Sequence, residues 1–142
     1  MSTGSDPDIP AAPMTGLSHV QLNVADVSVS ARWYTAALGL EPFASDPESG
    51  FVALRHRRSR IVVVLTAGGS AGDPQRGGAL DHLAFAVPDR ESLQAWADHL
   101  TNVGVEHPGI VDELGNQSLQ LRDPDGNAIE LAAPGRQSKP GI

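Results

Sequence analysis

Three side chains able to ligate a metal stand far apart in this sequence, at His19, His82 and Glu130. Two imidazoles and one carboxylate make a facial donor set that leaves coordination positions open on one divalent ion: iron, manganese, zinc or nickel. Such an ion acts as a Lewis acid on a bound oxygen. A carboxylate within hydrogen-bond reach can also move a proton, which marks Glu130 as the candidate catalytic residue. The chain has no cysteine, so thiolate sites and disulfides are excluded. Any one of the three alone carries little weight, because a lone strand histidine is more often structural and a lone glutamate more often solvated. Their combination is the signal. The remaining histidines fit less well: His56 borders a basic turn, His99 lies on an expected helix and His107 precedes Pro108 in a loop.

An internal repeat relates two of the three. Leu17-Ser-His-Val-Gln-Leu-Asn-Val-Ala-Asp26 matches Leu80-Asp-His-Leu-Ala-Phe-Ala-Val-Pro-Asp89, and the same offset takes His19 onto His82 and Trp33 onto Trp96. Each copy reads as a strand, a helix and then further strands. The first strands are expected at 17–24 and 80–87, rich in Val, Leu and Phe. Asp26 or Ser28, and Asp89, are suited to cap helices expected near 28–38 and 90–102. Gly39 and Gly104 follow those helices and suit a left-handed turn. Trp33 and Trp96 are expected to pack each helix on its sheet. The last hairpin runs Ser118–Arg122, then the turn Asp123-Pro-Asp-Gly-Asn127, then Ala128–Ala133. Its counterpart is Phe51–His56, a basic tip and Ile61–Thr66.

Side chains alternate faces along a strand. His19, Gln21 and Asn23 therefore share a face opposite Val20, Leu22 and Val24; His82, Ala84 and Ala86 do the same in the second copy. In the final strand Glu130 lies with Ala128 and Ala132, opposite Ile129 and Leu131. All three candidate ligands fall on the face without bulky apolar residues, and small neighbours leave room for a substrate. A closed turn places Gln120 opposite Glu130, with Ser118 farther along. Gln21, Ser118 and Gln120 are the candidate substrate contacts, with ordinary solvent-facing roles as the alternative.

The pieces LSHVQLNVADVSVSARWYTAALGLEP, LDHLAFAVPD and LRDPDGNAIEL resemble the vicinal oxygen chelate superfamily, over about residues 16–134. That superfamily includes glyoxalase I, extradiol dioxygenases, fosfomycin-resistance transferases, methylmalonyl-CoA epimerase and bleomycin-resistance proteins. The resemblance implies an α+β fold: paired βαβββ modules forming a cupped, partly closed mixed β-sheet barrel with flanking helices, often a homodimer. It also implies that His19, His82 and Glu130 hold the metal, which binds two neighbouring oxygens of the substrate. The fourth ligand of glyoxalase I and the epimerase falls on Val63 or Val64, neither of which can bind a metal. A three-ligand set is closer to the dioxygenases and the fosfomycin enzymes. Gln120 stands about where both have a tyrosine, and the one tyrosine here, Tyr34, is on a helix. Ser118 matches a serine of the fosfomycin enzymes, whereas Gln21 replaces their threonine.

With 142 residues, the chain suits one domain at 16–134, made of module one at 16–67, a linker at 68–79 and module two at 80–134. Segments 1–15 and 135–142, rich in Pro, Gly and Ser, are expected as loose tails. A formal charge of -7 argues against nucleic-acid binding as the main activity. No signal-peptide pattern or membrane-length apolar run is present, so a cytoplasmic protein is expected. Arg55, His56, Arg57, Arg58 and Arg60 form either a solvated hairpin tip or a rim attracting an anion. Two functions compete: a metal-dependent enzyme on a small oxygenated molecule, and a metal-free binding protein of the bleomycin-resistance type. The modules pair within one chain or swap across a dimer; the linker permits either.

Overall fold

Residues 17–48, 50–68, 81–113 and 115–135 are described by the computed structural model. The expected tail 1–15, all of the expected tail 135–142 but its first residue, and the linker after residue 68 lie outside the described residues. Module one contributes β1 (Val20–Val24), α1 (Val27–Leu38), β2 (Leu40–Asp46), β3 (Phe51–His56) and β4 (Val62–Ala67). Module two repeats the order as β5 (Leu83–Ala86), α2 (Arg90–Asn102), β6 (Val111–Glu113), β7 (Asn116–Arg122) and β8 (Ala128–Pro134).

Each module is a four-stranded mixed sheet, ordered β1-β4-β3-β2 and β5-β8-β7-β6. The first strand of each pairs in parallel with the last, and the other pairings are antiparallel. The two sheets are separate within one chain, so one copy forms two cupped halves and does not itself close a barrel. Both opening strands are shorter than expected, which leaves His19 and His82 immediately before the first strand residue.

Capping follows the local chemistry. Asp26 Oδ1 accepts from the Val29 N–H at 3.1 Å and Asp89 Oδ1 from the Ser92 N–H at 2.8 Å. That bond to Ser92 holds the Asp89 carboxyl below its usual range. After α1 the chain turns at Gly39, where φ is 73° and the N–H reaches Thr35 O. The second helix runs one residue further, capping on Val103 before Gly104 takes the left-handed turn.

The inward faces of both modules share one core. Leu22 and Val24 of β1, Val63 and Leu65 of β4, Ile129 and Leu131 of β8, Tyr34 and Leu38 of α1, and Leu93 and Leu100 of α2 belong to it. Opposite that core, Gln21, Asn23, Ala84 and Ala86 are exposed, so the expected alternation holds in both opening strands. No described helix is long and apolar enough to cross a membrane.

Polar bonds fasten the modules together. Tyr34 Oη donates to Asp123 Oδ2 at 2.7 Å. Asp125 accepts from the Ala25 N–H at 3.0 Å and the Ser30 hydroxyl at 3.3 Å. Within its own turn, Asp123 also accepts from the N–H groups of Asp125 and Asn127 and from the Asn127 amide. The second hairpin turn thus docks on the start of α1. Burial, and then the Asp123 carboxylate, push the Tyr34 phenol far above its ordinary value.

Candidate functional site

The parallel pairing of first and last strands builds the half-site. Ala84 pairs with Glu130, and His82 precedes β5 by one residue, so the imidazole and the carboxylate share a face. Their Nε2 and Oε2 atoms lie 3.7 Å apart. This is long for a hydrogen bond, but a single ion with bonds of about 2.0–2.2 Å spans it. Asp81 Oδ2 lies 2.8 Å from His82 Nδ1, orienting the ring so that Nε2 faces Glu130. The His82 side chain is 40% exposed and that of Glu130 17%, so the pair is open to solvent on one side.

His82 and Glu130 line an open pocket of about 870 Å³. Trp33 of α1, the segment 103–108 and the end of the last hairpin form its walls. Gln120 lies directly opposite Glu130 in the antiparallel register and also lines the pocket, as its spacing implied.

The other expected residues stand elsewhere. His19 is exposed, 3.0 Å from the Ser18 hydroxyl, and it does not line this pocket. Among the described residues no group of three His, Asp or Glu side chains is placed to hold a metal. One chain therefore brings together two of the three expected ligands, not all three. Gln21 is exposed on the module-one sheet, on the face that follows from His19. Ser118 is fully buried opposite Ala132, with a hydroxyl that has no hydrogen-bond partner. A buried hydroxyl without a partner costs about 1–3 kcal/mol.

Register also resolves the position of the absent fourth ligand. Gln21 pairs with Val64 as Ala84 pairs with Glu130. Val64, not Val63, is thus the counterpart of Glu130; Val63 is a fully buried core residue. Module one can offer His19 and nothing from its closing strand.

The three histidines set aside from the site are each engaged. His99 Nε2 bonds Ala36 O, His107 bonds Thr101, Ala97 O and the Gly109 N–H, and His56 bonds Ser59. At the basic tip, Arg57 pairs with Glu41 at 2.6 Å and Arg55 stacks on Phe43 at 4.8 Å. Trp33 shows more than its packing role implied, since it is half-buried and walls the pocket. Arg122 is a second pocket residue that spacing alone did not single out. Its position on the Gln120 face was the available signal.

Residues 16–131 match the family model described as Glyoxalase/Bleomycin resistance protein/Dioxygenase superfamily. Biphenyl-2,3-diol 1,2-dioxygenase 3 of Rhodococcus globerulus is 30% identical over 118 residues, covering 81% of this chain and 61% of that protein. A Bacillus subtilis (strain 168) protein carrying the name of a ring-cleaving dioxygenase, MhqA, is 26% identical over 132 residues, covering 84% of this chain and 40% of its own length. The chain thus spans between two fifths and three fifths of these two relatives. A Frankia sp. EAN1pec glyoxylase/bleomycin resistance protein/dioxygenase domain superposes with TM-score 0.71 at 28% identity, covering 87% of this chain and all of that one. A point mutant of the fosfomycin resistance protein FosX from Listeria monocytogenes, solved with Mn(II) and a dihydroxypropylphosphonic acid, shares the fold. Its TM-score is 0.69 at 19% identity, covering 87% of this chain and 95% of that one. By the match over residues 16–131, this chain belongs to the glyoxalase/bleomycin resistance protein/dioxygenase superfamily.

Proposed function

We propose that the protein is a divalent-metal-dependent enzyme acting on a small oxygenated molecule, with a site completed between two copies of the chain. The observation that carries this reading is the facing pair, His82 Nε2 and Glu130 Oε2, 3.7 Å apart in a pocket large enough for a substrate. His82 and Glu130 of one copy and His19 of a second would hold the ion. His19 is its module's one candidate on the equivalent face, because Val64 replaces the carboxylate. A homodimer that sets the module-one sheet of one copy against the module-two sheet of the other supplies the third donor. The relatives named for dioxygenases, and the Mn(II)-bound FosX neighbour, support this class of chemistry.

When bound, the ion supplies a Lewis acid that polarises a substrate oxygen. The chain's residues do the rest. Glu130 stands where it can take or return a proton at the substrate carbon or oxygen nearest the ligand pair. Asp81 keeps the His82 ring turned toward Glu130. Gln120, with Gln21 from the second copy, makes the proposed substrate contacts, whereas Ser118, expected to join them, is fully buried and outside the pocket. The reaction is of the dioxygenase kind, or of the glyoxalase and transferase kind.

Elemental analysis of the purified protein and of His19→Ala, His82→Ala and Glu130→Gln tests the reading. One divalent ion per chain is expected, lost in each variant, and restored at one site per heterodimer, about a quarter of all sites, when equal amounts of His19→Ala and Glu130→Gln copies are mixed and exchange freely. Protein that holds no ion after incubation with iron, manganese, nickel or zinc would refute it.

One observation favours a second reading. A single copy gathers two ligands rather than three, as suits a metal-free binding protein of the bleomycin-resistance type. Ligand affinity unchanged in the triple alanine variant would select that reading.

A further inference from the structure

The pocket that holds His82 and Glu130 is lined by the carboxylates of Asp81 and Glu106 as well, and by a single guanidinium, that of Arg122. Arg122 closes β7 on the same face as Gln120, and it pairs with Ala128, two residues before Glu130. Along a strand that step is about 7 Å. Its side chain is exposed, and no carboxylate among the described residues lies within ion-pair distance of it. One nitrogen, Nη1, donates to Gly126 O at 2.9 Å, which anchors the guanidinium over the hairpin turn. Four of its five N–H donors remain beyond that bond. In an otherwise acidic pocket, an anchored arginine with donors to spare is a receptor for a planar anion.

We propose that Arg122 sets substrate specificity, and that the substrate is a small acid whose carboxylate seats on Arg122 while two adjacent oxygens reach His82 and Glu130. The proposal rests on the metal-dependent reading for the second of those contacts. The backbone positions of Arg122 and Glu130 are a two-residue strand step apart, a spacing that a substrate of about one ring width suits. Trp33, which walls the same pocket, offers it a flat apolar surface. The neutral parent of such an acid makes the oxygen contacts but leaves Arg122 unused.

The test compares two probes by calorimetry, without oxygen, on manganese-loaded protein: catechol, and 3,4-dihydroxybenzoate, which adds a carboxylate across the ring. The acid is expected to bind about tenfold or more tightly than catechol. Arg122→Gln should bring the ratio to about one without moving the catechol affinity or the metal content. Arg122→Lys, which keeps the charge and loses the fork, should retain part of the preference. A wild-type ratio near one, a ratio unmoved in Arg122→Gln, or binding of neither probe overturns the proposal. Protein that takes up no manganese yet still prefers the acid through Arg122 would sink the metal-dependent reading and leave the Arg122 contact standing.

Discussion

The phenol of Tyr34 is the chain's only tyrosine, is fully buried and donates to Asp123 at 2.7 Å across the module boundary. Tyr34→Phe removes that bond and little else, because the ring stays in place. A hydrogen bond to a charged partner contributes about 1.5–3 kcal/mol, so the variant should unfold about 2 kcal/mol more easily in denaturant at neutral pH. The alkaline side gives the sharper result. Burial and Asp123 raise the folded value of Tyr34 well above that of the unfolded chain. Its contribution is therefore fully present below the unfolded value, near pH ~10, and is lost as pH rises beyond it. One proton costs about 1.4 kcal/mol per pH unit, so an advantage of about 2 kcal/mol disappears roughly 1.5 units higher. Phenylalanine has no such proton, and all other titrating groups are common to the two proteins. Wild type and variant should thus converge in stability near pH ~11.5 and cross above it. Tyrosinate absorbance, followed beside circular dichroism, should rise only as the protein unfolds. Tyrosinate forming near pH ~10 in protein that remains folded would refute the argument.

Other substitutions probe separate links. Asp125→Ala strips acceptors from the Ala25 N–H and the Ser30 hydroxyl and should cost about 1 kcal/mol in chemical denaturation. Leu100→Ala, in the fully buried face of α2, should cost about 2–5 kcal/mol in the same assay. Val64→Glu places a carboxylate at the counterpart of Glu130 and should tighten divalent-metal binding about tenfold or more in competition with a chelator. Unchanged affinity there would argue against the two modules facing each other across a dimer. Removing the ion with a chelator should lower the melting temperature of wild type and leave His82→Ala unmoved.

The repeat made the elements legible because each module had to solve the same local problem twice. A capping aspartate, a helix and a left-handed glycine follow each opening strand, and Asp26, Asp89 and Gly39 hold the geometry their types implied. The closing hairpin was readable to its register, since a Pro-Asp-Gly turn leaves little choice and a one-residue slip would bury Glu130 in place of Ile129. Alternation likewise assigned faces correctly along β1 and β8. What periodicity lacks is any information about which sheet opposes which. His19 and His82 are equivalent within their modules, yet equivalence is a statement about each module alone, and the two sheets of one chain do not join. Nor could it find the roles of Tyr34, Trp33 and Arg122. These depend on the hairpin turn docking against α1, a contact between segments remote in sequence.

On the proposed metal-dependent reading, the unequal closing strands leave one chain with a histidine and a carboxylate in module two and a histidine alone in module one. Were Val64 acidic, each module would carry its own histidine and carboxylate, and metal could be held weakly by either half. With valine there, the carboxylate comes from module two alone, and the face of β1 that carries Gln21 and Asn23 is left polar and uncovered. Ala84 and Ala86 on β5 are likewise exposed, though apolar. Meanwhile the inward faces of both sheets are already used, packed with the two helices into one core. Covering the outer faces therefore calls for something besides this copy's own helices. In the proposed dimer a second copy would bring the equivalent face of the other module and, on it, His19. Dimerisation and metal binding should accordingly be linked, each strengthening with the other. Sedimentation at increasing metal concentration should show the dimer favoured by the ion in wild type and indifferent to it in His19→Ala.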